Sequence, residues 1–343
     1  MDIVNKKILI IGPSWLGDMV MAQALFKSLR YLNPGITIDV TAPAWSLPLL
    51  ERMPEINHGI ELDLKHGEWS FEKRYHIGQE LQKNNYTHAI VLPNTWKSAL
   101  IPWFAKISIR TGWLGELRFG LLNDIRYLKK SVYKTMVERY IALAYPTNYS
   151  LPTKSSTMLL EPAFTPKLTV NKKNLEELKL KFSINTTNNL PILALCLGAA
   201  FGEAKCWPEQ YYLELATMQV NKKWQVWIFG TKPDLQINNP SPQILNFSGK
   251  TSLLDTIDLL SLADVVVCND SGLMHIAASF NKKIIAIYGA TSPQFTPPLA
   301  EHVKIINKHL PCSPCFARTC PLGHHKCMQQ ITVEEISNCI QEF

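Results

Sequence analysis

Several features that would direct a chain to a membrane or to an oxidising compartment are missing from this sequence. None of its apolar runs approaches the roughly 20 residues that span a bilayer. Residues 1–7 carry an acid early and lead directly into a short strand pattern, which is unlike a signal peptide. We therefore expect a cytoplasmic protein whose eight cysteines are mostly reduced.

A strong charge of one sign is also missing. The chain has 35 Lys and Arg against 28 Asp and Glu, a formal net charge of +7, and its cations are scattered apart from a cluster between Lys97 and Lys134. A nucleic-acid binder usually presents a stronger basic face. This balance argues against a nucleic-acid partner and favours an anionic ligand or a membrane surface.

What the sequence does contain is a double series of apolar strand patterns separated by amphipathic helical patterns, which is typical of parallel sheets with crossover helices. With 343 residues, 46% of them hydrophobic, the chain is long enough for two domains. Residues 145–167, rich in Pro, Thr and Ser, separate the two series. The sequence thus predicts an α/β protein with two Rossmann-like domains, 1–165 and 166–343, and a cleft between them. The predicted strands are 7–12, 36–43, 60–62 and 88–93, then 191–198, 224–230, 244–249, 263–269 and 283–289.

In such sheets ligands bind beyond the carboxyl ends of strands, and the first segment in that position is residues 12–20. Gly12 and Gly17 lie there, but neither the G-x-G-x-x-G fingerprint nor a phosphate-loop Lys-Ser/Thr pair is present. Asp18 has two possible roles. It is either a first-turn acid favoured by the helix dipole or a general base facing the cleft.

The second segment, residues 197–208, follows the first strand of the second series. Gly198 and Gly202 permit close backbone approach, and Lys205 stands just before the Trp-Pro pair that begins a helix. A lone lysine is usually a solvated surface charge. Beside a glycine loop at the end of a strand it can instead contact phosphate as a point charge.

The third segment is residues 268–275, which follow an apolar run and open a helix. Asp270 and Ser271 are N-cap types, and Gly272 lets the backbone approach a ligand. A helix N-terminus offers N–H groups and a positive dipole end to an anion. The segment is therefore a candidate diphosphate site, although Asp270 has a simpler interpretation as a cap and His275 as an ordinary helix residue.

Taken together, these segments resemble the ADP-heptose:lipopolysaccharide heptosyltransferases of glycosyltransferase family 9, and within that family most of all the heptosyltransferase II branch. The resemblance implies a GT-B fold with an N-terminal acceptor domain and a C-terminal nucleotide-sugar domain. It also implies inverting transfer of L-glycero-D-manno-heptose from ADP-heptose to the first heptose of the lipopolysaccharide inner core. The similar segments span most of the chain in the order of the family, at residues 12–21, 110–118, 121–124, 138–140, 205–208, 269–275 and 288–293.

The resemblance assigns the catalytic groups to opposite domains. Asp18 corresponds to the general base that removes the acceptor proton. Lys205 corresponds to the cation that neutralises the departing diphosphate, with help from N–H groups around Ser271 and Gly272.

The remaining donor contacts also follow from the resemblance. Asp270 falls where the family contacts heptose hydroxyls, and His275 falls on the phosphate side. Thr251 and Asp234 fall near the adenine and ribose contacts, and Asp234 corresponds more weakly because the family's first heptosyltransferase typically has a glutamate at the ribose position. Ala200 and Phe201 stand where a relative has two threonines, so only their backbone N–H groups can reach a phosphate.

For the acceptor, the resemblance favours Arg110 and Arg118, which lie among large apolar residues. Such a surface suits a phosphorylated, Kdo-bearing core on the inner leaflet, so the enzyme is expected at the cytoplasmic face of the inner membrane. A solvated basic face over an ordinary aromatic core is the simpler interpretation. No Asp-x-Asp motif is present, and we expect no metal or other cofactor in catalysis.

The C-terminal cysteines have a spacing of their own, Cys312-x2-Cys315-x4-Cys320-x6-Cys327, with two histidines inside it. Four thiolates suit Zn²⁺, but one C-x2-C pair without a second is an incomplete zinc ribbon. The pattern favours reduced thiols over a structural zinc ion. The final segment, 332–343, has helical periodicity, and in GT-B proteins a terminal helix often crosses back onto the first domain.

Two other classes of protein would use a similar fold. A nucleotide-binding oxidoreductase or epimerase would require the glycine fingerprint, which is missing here, and a catalytic pair of its own. A non-catalytic carbohydrate- or partner-binding protein would retain the cleft but lack a catalytic acidic residue, whereas this chain contains both Asp18 and Lys205. Within the enzyme class, the competing hypothesis is a family 9 transferase with a different acceptor.

Overall fold

The computed structural model describes residues 6–64, 68–146, 164–184, 189–231 and 241–343. The chain divides into two compact units, Met1–Thr169 and Val170–Phe343. Each unit is built on a six-stranded sheet whose neighbouring strands pair in parallel. The predicted α/β class with two Rossmann-like units is thereby confirmed. Most of the predicted linker, residues 147–163, lies outside the described residues.

The first unit alternates strands with helices around one sheet. Its strands are β1 (Lys7–Ile11), β2 (Thr37–Ala42), β3 (His58–Glu61), β4 (His88–Val91), β5 (Ile109–Trp113) and β6 (Asp124–Arg126). Its α-helices are α1 (Leu16–Leu32), α2 (Phe71–Gln82), α3 (Trp96–Phe104) and α4 (Met136–Ala142), and a 3-10 helix spans Leu47–Arg52.

The second unit repeats this plan. Its strands are β7 (Ile192–Cys196), β8 (Gln225–Phe229), β9 (Ile244–Asn246), β10 (Val265–Asn269), β11 (Lys283–Ile287) and β12 (Val303–Ile306). Its α-helices are α5 (Lys172–Lys181), α6 (Glu209–Asn221), α7 (Leu253–Leu260), α8 (Gly272–Ser279), α9 (Lys326–Gln329) and α10 (Val333–Gln341), and Glu203–Lys205 form a 3-10 turn.

The two sheets have the same strand order. The first runs β3-β2-β1-β4-β5-β6 and the second, read from its other edge, β9-β8-β7-β10-β11-β12. Strand order therefore reverses between β1 and β4 in one unit and between β7 and β10 in the other. At such a reversal the connecting chains leave on opposite sides and open a crevice at the carboxyl ends of the strands, which is where ligands bind in these folds.

The central strands are apolar because helices cover both faces of each sheet. All five residues of β7 and of β10 are buried, as continuous apolar runs in parallel sheets should be. The strands that the sequence does not predict, β5, β6 and β12, contain polar residues and are partly exposed. Strands β6 and β12 are at sheet edges, where a strand has one neighbour fewer and needs less apolar surface, whereas β5 lies between β4 and β6 and buries only its last three residues.

The last helix, α10, is amphipathic. Thr332 caps its first turn by accepting from the Glu335 N–H group at 3.2 Å, and Val333, Ile336 and Ile340 are buried in the core of the second unit. The helix contacts α6 and β11. The sequence suggests that this helix crosses back onto the first domain. Its apolar face instead packs in the core of the second unit.

Candidate active site

In the first unit, the turn after β1 presents Asp18. Gly12 ends the strand where a Cβ atom would lie 2.3 Å from the Thr41 carbonyl oxygen, so only glycine fits. Trp15, in extended conformation, is the N-cap of α1, and Asp18 lies in the first turn, partly buried. The dipole of α1 stabilises a carboxylate at this position. Asp18 therefore lies just beyond the carboxyl end of β1, at the switch point between β1 and β4.

Helix α4 brings Tyr140 close to Asp18. The two helices α1 and α4 pack extensively, and a capping box between Thr135 and Glu138 fixes the start of α4. Burial raises the pKa of the Tyr140 phenol well above its usual value, and the negative charge of Asp18 adds to that shift. The phenol is therefore neutral beside the carboxylate. The family-like segment 138–140 therefore contains the side chain that α4 places beside Asp18.

Arg118 is completely buried. Its guanidinium donates to the Pro93 carbonyl oxygen at 2.7 Å and also to the carbonyl groups of Thr95 and Trp113. Burial lowers its pKa to about 10, opposed by the charge of Glu116, and the group stays charged at neutral pH. Arg118 therefore joins the loop after β4 to the loop after β5. The geometry favours this bracing role over direct contact with an acceptor.

Arg110, on β5, also donates to backbone carbonyl groups. Its Nε donates to the Leu121 carbonyl oxygen at 2.6 Å, and its terminal nitrogens donate to the carbonyl groups of Ile107 and Gly120. Burial lowers the pKa of this guanidinium too. Arg118 thus holds loops at the carboxyl edge of the first sheet, whereas Arg110 holds the segment that leads into β6 at the amino edge.

The braced loops form one wall of an open depression of about 600 Å³, within the usual size range of ligand pockets, about 300–1,000 Å³. Trp69 is 61% exposed and Leu117 is 87% exposed, so large apolar surfaces face solvent here. Glu116 accepts from the Trp96 N–H group at 2.9 Å and so satisfies a backbone donor at the start of α3. The lining residues are Trp69, Thr95, Trp96, Lys97, Glu116 and Leu117.

In the second unit, Lys205 and Asp270 form a nearly buried ion pair. The Lys205 ammonium lies 2.7 Å from Asp270 Oδ2, and their side chains are 14% and 6% exposed. Asp270 also accepts from the hydroxyl groups of Thr291 at 2.6 Å and Thr296 at 3.4 Å. The carboxylate thus holds the lysine in a fixed place at the switch point between β7 and β10.

The N-terminus of α8 lies at the same place. Ser271 is its N-cap in extended conformation, and its hydroxyl makes no capping hydrogen bond. Among the described residues that oxygen is buried without a hydrogen-bond partner, which is costly unless a ligand satisfies it. Gly272 begins the helix with no side chain above its N–H group. This end of α8 therefore suits an anion.

His275, one turn into α8, is buried and neutral. Burial lowers its pKa to about 4; the charge of Asp270 opposes this shift and that of Lys205 adds to it. A neutral imidazole has one donor and one acceptor nitrogen. His275 therefore adds no charge to this part of the second unit.

The geometry agrees with the comparison to known proteins. The model of glycosyltransferase family 9 (heptosyltransferase) matches residues 74–326. Lipopolysaccharide heptosyltransferase 2 of Salmonella typhimurium is 40% identical over 98% of this chain and 99% of that protein. Lipooligosaccharide heptosyltransferase 2 of Haemophilus influenzae is 45% identical over 87% and 88%. The chain belongs to glycosyltransferase family 9.

A solved member of this glycosyltransferase family has the same overall structure. The structure of E. coli ADP-heptose LPS heptosyltransferase II aligns with a TM-score of 0.84 and 39% identity, covering 98% of each chain. Family membership makes the chain a glycosyltransferase of the heptosyltransferase type. It therefore argues against the oxidoreductase and non-catalytic hypotheses.

The loop expected to meet the nucleotide in this glycosyltransferase is held by Asn269. Its side chain accepts from the Trp207 N–H group at 2.9 Å and donates to the Gly198 carbonyl oxygen at 3.2 Å. Gly198 has a φ of +78°. Ala200 is exposed beside it, and the Phe201 ring lies 4.9 Å from the Lys205 ammonium.

Of the two residues assigned to the adenine and the ribose, the structure describes one. Thr251 follows β9, where its hydroxyl lies 3.0 Å from that of Thr256 at the start of α7. Asp234 lies outside the described residues. The structure thus brings Lys205, Asp270, Ser271, Gly272 and His275 together at one crevice and places Thr251 at the end of a different strand.

Sequence reasoning missed three side chains of these sites. Thr291 could have been predicted, because it lies in a family-like segment directly after a predicted strand. Thr296 had no such signal, because it reaches Asp270 from 26 positions away. Tyr140 required knowledge that α4 packs on α1.

Within the described ranges, no three His, Cys, Asp or Glu side chains are grouped as metal ligands. In the same ranges, no helix is long and apolar enough to cross a membrane.

Proposed function

We propose that this family 9 enzyme transfers L-glycero-D-manno-heptose from ADP-heptose to the first heptose of the lipopolysaccharide inner core, with inversion at the anomeric carbon. Full-length relatives named heptosyltransferase 2, at 40% identity and above, support the reaction. The observation that carries the donor assignment is the Lys205–Asp270 pair beside the N-terminus of α8.

The donor half of the mechanism depends on how Lys205 is held. An ammonium group has three donors. Two of them go to Asp270, to its carboxylate at 2.7 Å and to its backbone carbonyl oxygen at 3.4 Å, which leaves one for a diphosphate. The buried Ser271 hydroxyl and the first N–H groups of α8 supply further hydrogen bonds. These groups stabilise the negative charge that develops on ADP as the bond to heptose breaks. Asp270 is proposed to orient the heptose hydroxyls as well.

The acceptor half depends on Asp18. Inversion in one displacement requires a base that takes the proton of the attacking hydroxyl. Asp18 is partly buried in the first turn of α1, with the neutral Tyr140 phenol nearby. A carboxylate held there has the charge and position for this step.

Acceptor recognition is proposed for the depression lined by Trp69, Trp96 and Lys97. Aromatic faces pack against the apolar faces of sugar rings, and Lys97 suits a carboxylate or phosphate of the inner core. Arg118 shapes one wall through its hydrogen bond to the Thr95 carbonyl oxygen. We propose that the enzyme meets this lipid-linked acceptor at the cytoplasmic face of the inner membrane.

The first test is a transfer assay with purified protein, ADP-heptose and a deep-rough core acceptor that carries one heptose. ADP release and product mass are followed, with and without a brief EDTA treatment. We expect one added heptose and no effect of the chelator, since Lys205 and the helix N-terminus supply the charge that a divalent ion supplies elsewhere.

Each other outcome has a distinct meaning. Tight ADP-heptose binding without transfer to this core would favour a family 9 transferase with a different acceptor. Absence of ADP-heptose binding would overturn the donor assignment. Activity that a divalent ion restores after EDTA would overturn the metal-independent mechanism.

A further inference from the structure

The four C-terminal cysteines line one small cavity in the second unit. Its volume is about 20 Å³, little more than the 10–15 Å³ or so that one water-sized probe requires, so it can take a single atom or ion and no organic ligand. Cys312, Cys315, Cys320 and Cys327 all contribute to its wall. All four are free thiols and partly buried.

A tight turn follows Cys320. Gly323, with a φ of +67°, closes this turn by donating its N–H group to the Cys320 carbonyl oxygen at 3.0 Å. Cys320 and His324, at either end of the turn, line the same cavity as Cys327.

The charge of the segment points the same way. Between Glu301 and Glu334 the sequence contains no acid and four Lys or Arg residues. Four thiolates around a divalent ion carry a net charge of −2. Lys304 and Lys308 are paired with Glu342, just after α10, and Glu335, on α10, so only part of the positive charge of the segment offsets that charge. Glu203 also approaches from outside the segment, 3.9 Å from the His325 ring.

The segment is also tied to the proposed donor loops. Ser313 donates to the Gly289 carbonyl oxygen at 2.6 Å, and the Arg318 carbonyl oxygen accepts from Ala204 at 3.0 Å. The Arg318 guanidinium lies 5.6 Å from the Phe201 ring, which Lys205 contacts from another direction. A rigid cysteine segment therefore supports the loop that carries Lys205.

We propose that Cys312, Cys315, Cys320 and Cys327 bind one structural zinc ion. Four sulfurs around a cavity of atomic size match the tetrahedral coordination of zinc, with Zn–S distances of about 2.3 Å. Each thiol loses its proton to solvent on binding, so one Zn²⁺ replaces four protons and no oxidant is needed.

This assignment reverses the preference drawn from spacing alone. The side chains are not already grouped as ligands within the described ranges, so the thiols must turn toward one another about their χ1 angles as the ion binds. His324 is not needed, because its Nδ1 already accepts from the Lys326 N–H group at 3.1 Å. A four-cysteine site is closed, which makes its role structural.

The test measures metal directly and uses the intact protein. Protein made in zinc-supplemented medium is purified under reducing conditions and its metal content is measured by mass spectrometry. We expect about one zinc per chain. A mercurial that titrates thiols should release that zinc as four sulfurs react. After exchange, Co²⁺ should give the charge-transfer absorption of thiolate ligands, and removal of zinc should lower the melting temperature.

The matched control is Cys339→Ser, on α10, which is also partly buried but does not line the cavity. Cys320→Ser should lose most of the zinc and Cys339→Ser should retain it. Zinc below about 0.1 per chain in the wild-type protein would overturn the proposal, as would equal loss in both variants or disulfides among the four cysteines in freshly isolated protein. Measurements on the wild type do not depend on whether a variant folds.

Zinc binding and heptose transfer can fail separately. A protein with one zinc and no transferase activity would leave the site intact and overturn the proposed reaction. An active protein without zinc would overturn the zinc site and leave the proposed reaction intact.

Discussion

The two units have one strand order and opposite chemistry at their switch points. In the first unit the turn after β1 presents the Asp18 carboxylate, and the loops after β4 and β5 line an open aromatic depression. In the second, the crevice between β7 and β10 presents Lys205, the α8 N-terminus and a neutral His275. The fold fixes where a ligand can bind, and the loop residues fix what is bound.

The units also differ in how they use buried charge. Arg118 is fully buried as a brace between backbone carbonyls, whereas Lys205 and Asp270 are paired at the edge of a site. A buried cation whose donors are bonded to backbone carbonyl groups fixes the conformation of the loops that carry them. A buried ion pair whose cation keeps one unused donor can bind a ligand.

Removing the carboxylate of the first unit should have the largest effect. Asp18→Asn should lower turnover by about 10²–10⁴-fold while ADP-heptose affinity stays within about twofold, because the base acts on the acceptor. Turnover and donor titration by calorimetry measure the two quantities. Glu334→Gln, a first-turn acid on α10, is the control and should leave both unchanged. Near-normal turnover in Asp18→Asn would remove Asp18 from the mechanism.

Removing the cation of the second unit should change binding and chemistry together. Lys205→Ala should lower turnover by about 10²–10³-fold, as loss of one charge-stabilising donor does, and should also weaken ADP binding. Lys223→Ala, an exposed lysine just before β8, should change neither. An unaltered ADP binding isotherm for Lys205→Ala would place Lys205 outside the site.

The neutral histidine of the second unit should make stability depend on pH. An unfolded His has a pKa of about 6.5 and folded His275 one of about 4, so the unfolded chain binds more protons between these values. Stability contributed by the neutral form is complete above about pH 6.5 and is lost as pH falls toward 4, by about 2 kcal/mol at pH 5.

Urea unfolding near pH 7.5 and pH 5 tests this. His275→Gln should reduce the difference in unfolding free energy between the two pH values by about that amount. The exposed His302→Gln should leave it as in the wild type. The same difference in His275→Gln as in the wild type would show that His275 does not cause it.

The aromatic depression of the first unit should have the smallest effect. Trp69→Ala should raise the acceptor KM by about 5–10-fold, the loss of roughly 1 kcal/mol from one aromatic contact, and should leave donor affinity unchanged. Trp103→Ala, which removes a partly exposed tryptophan outside the depression, serves as the control. Equal KM values for both variants would place the acceptor elsewhere.

Much of the fold could be predicted because the central strands are buried on both faces. Runs such as Val265–Asn269 can only be interior strands or buried helix, and their glycine and polar ends mark the turn that follows. Strand β6, with only Asp124, Ile125 and Arg126, has no such pattern. It forms because β5 offers it a parallel partner.

The site could be predicted where its residues are adjacent in the chain. Asp270, Ser271 and Gly272 follow a strand and open a helix, so their proximity to a helix N-terminus is local. Arg118 illustrates the limit. Arginine is rarely buried, and only the convergence of carbonyls from two loops makes its burial favourable.

The sequence by itself determined the α/β class, the two-unit plan and the segments at the carboxyl ends of the strands, because these depend on periodicity and on neighbours along the chain. Only the tertiary structure decided that Asp270 holds Lys205 from 65 positions away, that Arg118 is a brace, and that four cysteines share one cavity. Those relations depend on which strands lie side by side, and periodicity carries no information about contacts between distant segments.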